Sequence, residues 1–254
     1  MTSLSLVSWA LNEEENVDLF LDKAERFASG LTNEFEVIVI DDGSTDSTWF
    51  LLQRAASERP WLKILQNEGN LGVGYCTKKA IAAARMERVL WQTQDWSYDL
   101  DWFAHHWNLV DQDTIIHGSR MLASRGNANS NGRSDTKFKA LVSFGNLILV
   151  KLLFALPYSD VQNVTLYPTK TAQSFRLKSS SSFTNPECLI WAWRIGSTIL
   201  EVPVGFIPRS AGVAKGTRPK AIIKAVRDIF AFRFSAQPKR EGASYLMRWP
   251  NGES

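Results

Sequence analysis

The stretch Phe35-Glu-Val-Ile-Val-Ile40, running into Asp41-Asp42-Gly43-Ser44-Thr45-Asp46, decides the fold. An apolar β-branched run of this kind is the pattern of a strand covered on both faces, as in a parallel sheet. It stops at acids, a glycine and hydroxyls, which is turn and helix-start chemistry. The expected order is buried strand, sharp turn, then a helix starting near Asp46 and carrying Trp49, Phe50, Leu52 and Ala55.

Upstream, Leu4–Trp9 is a short apolar run followed by Asn12-Glu-Glu-Glu15, which reads as an N-cap with an acid three residues later. Val17, Phe20, Leu21, Ala24, Phe27 and Leu31 then recur at helical spacing. Downstream, Trp61–Gln66 reads as a strand, Asn70-Leu-Gly72-Val-Gly74 as a glycine-rich turn, Tyr75–Arg85 as an alanine-rich helix and Arg88–Trp91 as the next strand. Strands alternating with helices imply βαβ units, right-handed crossovers and ligands outside the carboxyl ends of the strands.

Beyond residue 120 the alternation breaks. Arg125–Asp135 is polar and expected as a loop. Phe138–Leu156 is expected as a helix with Leu141, Phe144, Leu147, Ile148, Lys151, Leu152 and Ala155 on one side. That side can face the core, or an anionic membrane surface given Arg133, Lys137, Lys139 and Lys151 beside it. Residues 1–235 are expected to form one domain, and 236–254 a polar tail that frays.

With 254 residues, 44% hydrophobic and 22% charged, the chain has an ordinary globular composition, which excludes disordered, collagenous and disulfide-scaffold classes. Its two cysteines, Cys76 and Cys188, are too few for a secreted framework and are expected as core residues in a reducing compartment. No signal peptide and no membrane span are expected, since no apolar stretch approaches the roughly 20 residues a spanning helix needs. The net charge of +3 conceals an asymmetry. Residues 1–117 hold nineteen acids and nine Lys/Arg, residues 118–151 one acid and six Lys/Arg, and residues 209–240 one acid and nine Lys/Arg. Such asymmetry suits an anionic partner for the C-terminal half, or solvated basic helix faces. Nucleic acid is not expected as that partner, because no module combining stacking aromatics with basic residues is present.

In a parallel sheet the turn holding Glu13 lies beside the turn after the Phe35 strand, and the Asn70–Gly74 turn follows. Two acidic turns and a glycine-rich one make a pocket able to take ribose hydroxyls or a base edge. The glycine pattern is neither Gly-x-x-x-x-Gly-Lys-Ser/Thr nor Gly-x-Gly-x-x-Gly, which argues against a P-loop kinase or a simple dehydrogenase.

Ala10-Leu-Asn12-Glu13-Glu14-Glu15-Asn16, Val39-Ile-Asp41-Asp42-Gly43-Ser44-Thr45-Asp46 and Asn70-Leu-Gly72-Val-Gly74-Tyr75, in this order and spacing, resemble family 2 glycosyltransferases of the GT-A fold. The subgroup it is most similar to comprises dolichol-phosphate mannose synthases and bacterial polyprenyl-phosphate sugar transferases. Gly118-Ser119-Arg120, Asp160, Glu201-Val-Pro203-Val and Arg209-Ser-Ala-Gly212-Val-Ala-Lys215 extend the resemblance over roughly residues 4–225.

The resemblance implies an α/β fold with a mainly parallel mixed sheet and helices on both faces. It implies a nucleotide-diphosphate sugar donor held by Asn12, Glu13, Asp41, Asp42 and Gly72, with Arg209 and Lys215 near its phosphates. It implies an acceptor that is a polyprenyl phosphate or lipid-linked glycan met by Arg120, and inverting transfer at the inner, cytoplasmic face of a membrane by a peripheral protein. Asp160 then either deprotonates a hydroxyl acceptor or positions a phosphate acceptor, which is already largely ionised because its second pKa lies near ~6. Whether a second copy of the chain is a partner stays open.

One departure concerns metal. Where relatives carry Asp-x-Asp for Mg²⁺ or Mn²⁺, this chain reads Gln92-Thr93-Gln94-Asp95. Either Asp95, with Gln92 and Gln94, keeps a weakened metal site with a catalytic role, or Arg and Lys side chains take over the phosphate charge; the first is the expectation. The same departure motivates an alternative reading, a nucleotide-sugar-binding protein without catalysis. His105, His106 and His117 lack metal-ligand spacing and are expected to be structural.

Overall fold

The computed structural model describes residues 2–109, 111–126, 137–207, 219–235 and 245–246. The strands are β1 (Leu4–Ala10), β2 (Phe35–Asp41), β3 (Leu62–Gln66), β4 (Arg88–Trp91), β5 (Ile115–Ser119), β6 (Thr165–Pro168), β7 (Ile199–Pro203) and β8 (Tyr245–Leu246). The helices are α1 (Val17–Leu31), α2 (Thr48–Glu58), α3 (Val73–Ala83), α4 (Asp101–His106), α5 (Arg120–Gly126), α6 (Lys137–Phe154), α7 (Thr169–Ser174), α8 (Thr184–Arg194) and α9 (Pro219–Arg233).

Among the described residues the strands form one sheet in the order β3-β2-β1-β4-β6-β5-β7-β8. All neighbours are parallel except β6, which runs antiparallel to both β4 and β5. The chain moves outward from β1 to β3 and returns across β1 to β4. With right-handed crossovers this puts α1 and α2 on one face and α3 on the other, and opens a crevice at the reversal. The register pairs Ala10 with Asp41 and Asp41 with Gln66, so the first three strands end side by side.

Val37, Ile38, Val39 and Ile40 are fully buried, as the β-branched run requires. Glu36 is buried among them because Ser5 Oγ and the Arg85 backbone N–H and guanidinium all donate to its carboxylate. Burying an ion becomes tolerable only with such a full set of partners. Cys76 and Cys188 are both buried, and desolvation pushes the Cys76 thiol up to about 12, so neither is a nucleophile.

Several local expectations are corrected. Helix α1 starts at Val17 with Asn16 before it, not at an Asn12 cap, because Asn12 takes a positive φ of 50° and spends its side chain on Thr45. Arg125 belongs to α5, and 127–136, including Arg133 and Asp135, lie outside the described residues. Helix α6 is split: Val150 and Phe154 enter the core, whereas Phe144, Ile148 and Leu152 of the expected stripe face outward. Tyr245 and Leu246, in the expected tail, pair with Ile199 and Leu200 and extend the sheet.

Candidate active site

The first two turns are laced together. Asn12 N–H donates to Ser44 Oγ (2.9 Å) and Asn12 Oδ1 accepts from Thr45 N–H (2.8 Å). Glu13 N–H donates to Thr48 Oγ1 (2.8 Å), and the Glu13 carboxylate accepts from Asn16 Nδ2 (2.8 Å). Asp46 accepts from Thr48 N–H and Glu14 N–H. Its slight burial works to raise its pKa, but these hydrogen bonds outweigh that and hold it below the usual carboxylate value.

Asp41 and Asp42 have internal partners. Asp41 accepts from Ser44 N–H and from Gln66 Nε2 (3.0 Å). Asp42 accepts from Asn67 Nδ2, Leu71 N–H and Gly72 N–H, each at 2.9 Å, and so clamps the third turn onto the second. Gly43, at a φ of 75°, lies where a β-carbon would come within 2.5 Å of the Gly69 backbone. The turn expected over Asn70–Gly74 ends at Gly72, and Gly74 lies in the first turn of α3, where a β-carbon would meet Thr184 Oγ1, and Ser180 Cα at 2.6 Å. This glycine serves packing against the segment before α8, a segment itself pinned where buried Glu187 accepts from Lys178 and Ser179 N–H. The geometry thus brings Asn12, Glu13, Asp41, Asp42 and Gly72 together at the ends of β1 to β3. Arg209 and Lys215 lie outside the described residues.

A second cluster stands at the end of β5. Arg120 Nε and Nη2 donate to two different oxygens of Asp160 at 2.7 and 2.9 Å. Asp160 also accepts from the backbone of Arg120, Val161 and Gln162. Burial works to raise the Asp160 pKa, but the Arg120 hydrogen bonds and charge outweigh it and hold the carboxyl well below the usual range. Glu201, fully buried on β7, orients this loop by accepting from Ser159 N–H, Ser159 Oγ and Asp160 N–H. Its role was missed, although an acid inside an apolar strand, Ile199-Leu-Glu-Val-Pro203, is the signal of an anchor. His117 bridges Thr165 Oγ1 and the Asp160 carbonyl. His105 and His106 bond to carbonyls of their own helix.

The β4 exit is the place to test a divalent ion. Gln92 is fully buried; its Nε2 donates to the Tyr98 carbonyl (2.8 Å) and its Oε1 accepts from Thr93 N–H (2.9 Å). Gln94 is buried, with Nε2 donating to Ser8 Oγ (3.0 Å). Ser8 donates its own proton to the Gln92 carbonyl (2.7 Å), so it must accept from Gln94, which fixes the amide orientation. Gln94 Oε1 is then left without a partner. The Asp95 carboxylate accepts from Ser97 Oγ. Among the described residues no group of three or more His, Cys, Asp and Glu could hold a metal. One carboxylate, one committed amide and one lone neutral carbonyl fit a divalent cation poorly compared with paired carboxylates, since hard cations are held mainly by charged oxygens.

Aromatic rings sort here as well. Trp9 and Trp91 stack at 5.6 Å, Trp91 meets Tyr98 edge-on at 5.3 Å, and Tyr98 meets Phe206 at 5.9 Å, a row along the carboxyl ends of β1, β4 and β7.

The sequence profile of glycosyl transferase family 2 matches residues 5–171, which takes in both clusters. The chain belongs to glycosyl transferase family 2. A dolichyl-phosphate beta-glucosyltransferase of Trichomonas vaginalis is 25% identical over 215 residues, 79% of this chain and 64% of that protein. A second protein of that name and organism is 25% identical over 122 residues, 44% of this chain and 36% of its own length. The family 2 chain thus spans less than two thirds of the length of these relatives. Among solved structures, glucosyl-3-phosphoglycerate synthase from Mycobacterium tuberculosis in complex with uridine diphosphate superposes with a TM-score of 0.63 at 15% identity, covering 91% of this chain and 80% of that one. The same synthase with Mn²⁺, uridine diphosphate and phosphoglyceric acid gives 0.63 at 16% identity, covering 93% and 80%. Staphylococcus aureus TarS gives 0.51 at 16% identity, covering 91% and 72%. The shared fold is the GT-A glycosyltransferase fold.

Proposed function

We propose that this family 2 chain transfers a sugar from a nucleotide-diphosphate sugar to a polyprenyl phosphate or phosphate-bearing lipid-linked acceptor. The observation that carries the reading is the clamp of Asp42 on Leu71 and Gly72 beside the Asn12–Thr45 lacing, which gathers three turns into one pocket at the strand ends. Asn12, Glu13, Asp41 and Asp42 shape the donor pocket in this reading. The acceptor oxygen attacks the anomeric carbon as its bond to the diphosphate breaks, and cations stabilise the charge that collects on the leaving group. Inversion at that carbon rests on the family resemblance.

A phosphate acceptor is favoured over a hydroxyl by the Arg120–Asp160 pair. A carboxylate held this far below its usual pKa is a poor proton acceptor, which suits an acceptor oxygen that arrives already ionised. The dolichyl-phosphate enzymes among the relatives support the same class. Arg120 meets the acceptor phosphate, with Asp160 fixing its guanidinium.

A peripheral position on a membrane completes the reading. Among the described residues no helix is long and apolar enough to cross a bilayer. Phe144, Ile148 and Leu152 on α6 and Ile223, Val226 and Phe230 on α9, continued by Phe234 just past it, are exposed apolar stripes, on helices that meet where Phe154 packs against Phe232. Lys220 and Arg227 on α9 supply charge for anionic headgroups.

The test is transfer from a panel of radiolabelled nucleotide-sugars to polyprenyl phosphate, to the matching polyprenol and to soluble alcohols. Product on the phosphate and none on the alcohols is expected. Nucleotide binding without turnover on any acceptor would instead make the chain a binding protein.

A further inference from the structure

We infer that the donor diphosphate is neutralised by side-chain cations of this chain, Lys224 among them, and is bound without a divalent ion. The inference rests on the donor reading above and concerns how that pocket holds charge.

Paired carboxylates beside a diphosphate repel it unless a metal ion stands between them. Amides at 92 and 94 leave Asp95 as the one carboxylate at this exit, which lowers the repulsion and with it the need for the ion. The amides here are also built into the protein. Freeing Gln92 would break its bonds to Tyr98 and Thr93 and leave buried polar groups unpaired. Gln94 contributes a single neutral oxygen.

The compensating charge comes from α9. A β-carbon at Gly72 would lie 3.7 Å from Lys224 Nζ, so this ammonium stands over the turn that Asp42 clamps at the Gly72 N–H. Lys224 is exposed and makes no hydrogen bond or ion pair with a described residue. Asp228, one helical turn on, is occupied by the backbone N–H groups of Ser180 and Ser181, which fixes α9 against the segment packed on the third turn. Lys224 is thus carried to the donor turn by a helix anchored there, and lies within the stretch 209–240 that holds nine Lys/Arg and one acid. The outward apolar stripe of α9 occupies another face, so the same helix presents apolar side chains to one side and an ammonium to the donor.

The test is equilibrium binding of UDP, GDP, UMP and GMP to the full chain, in EDTA and in MnCl₂, for the parent protein and for Lys224→Gln, Lys224→Arg and Asp95→Asn. Expected are equal diphosphate affinity in both media, no effect of Asp95→Asn, and a loss of about tenfold in diphosphate affinity for Lys224→Gln, the worth of one charge-assisted contact. Monophosphate affinity changes less, and Lys224→Arg restores diphosphate binding. A strict Mn²⁺ requirement, or unchanged diphosphate affinity in Lys224→Gln, overturns the inference while leaving the donor reading intact. Failure of every nucleotide to bind in either medium overturns the donor reading itself.

Discussion

Arg120 closes on Asp160 as a fork on a carboxylate, Nε at 2.7 Å from one oxygen and Nη2 at 2.9 Å from the other. The Asp160 side chain is almost wholly buried and that of Arg120 is 26% exposed, so the guanidinium rests on a fixed, buried anchor. On the proposed reading this geometry positions Arg120 for an acceptor phosphate, with Asp160 as its anchor rather than a proton acceptor.

Replacing Asp160 by Asn removes the anchor charge while keeping the shape. Acceptor KM should rise, the pH–rate profile should keep its form between about pH 5 and 8, and stability should fall by about 1–3 kcal/mol. Steady-state kinetics and urea denaturation of Asp160→Asn check this. Loss of a titrating limb from the profile, with acceptor KM unchanged, would make Asp160 the general base.

Stability should also depend on pH in two windows. Complete burial pushes the His117 imidazole below its ordinary 6.5, so the unfolded chain binds that proton more readily than the folded one. The contribution of His117 is therefore complete above about pH 6.5 and falls as acid is added. Asp160, also depressed, contributes fully above about pH 3.9 and loses that contribution on further acidification. Thermal melts from pH 8 to pH 3 should show both declines, and His117→Gln should flatten the upper one alone. An upper decline that survives in His117→Gln would assign it to another group.

Asp42→Ala leaves Leu71 and Gly72 N–H and Asn67 Nδ2 without their acceptor. The third turn should open locally, with nucleoside-diphosphate affinity down by about tenfold to a hundredfold, as expected when charge-assisted hydrogen bonds worth about 1.5–3 kcal/mol each are lost. Faster amide exchange at residues 67–72 together with calorimetric titration checks both halves. Full protection with normal affinity would remove Asp42 from the pocket.

The parallel half of the fold was legible because its signals are local. Buried strands end in turn residues, and helical spacing runs unbroken from Val17 to Leu31. The first three turns could be placed side by side because a parallel register requires it, as the pairing of Ala10, Asp41 and Gln66 bears out. What each acid does there was not legible, since Asp41 and Asp42 find partners on Gln66, Asn67 and Gly72, and such loop contacts leave no periodic trace. The anchoring roles of Glu201 and Glu187 and the approach of Lys224 to Gly72 depend on long-range packing. Helix α6 misled for a related reason: its apolar residues serve two surfaces, and a single stripe cannot say which is the core.

Gly74→Ala places a methyl against Ser180 Cα and its carbonyl carbon, backbone atoms that cannot swing aside. A loss of about 1–3 kcal/mol is expected, seen as a lower urea midpoint with unchanged slope. Nucleotide affinity should fall with it, because the third turn would have to shift from Ser180. A neutral midpoint would mean that the segment before α8 can retreat.

The stripes on α6 and α9 make a last prediction. Leu152 on α6 is 78% exposed and Phe234, just past α9, 84%, values that a soluble surface tolerates for single residues but seldom for side chains lined up along two touching helices. Burying one phenylalanine is worth about 1.5–3 kcal/mol, so Phe230→Glu with Phe234→Glu should weaken binding to phosphatidylglycerol vesicles by tenfold or more. Phe234 is largely exposed and Phe230 about half-buried, so thermal stability should fall only modestly. Binding to neutral phosphatidylcholine vesicles should be weaker from the start, and added salt should narrow the difference by screening the basic face of α9. Co-sedimentation measures each arm. Absence of vesicle binding, together with a dimer in solution that the double variant dissolves, would assign the stripes to a second copy of the chain.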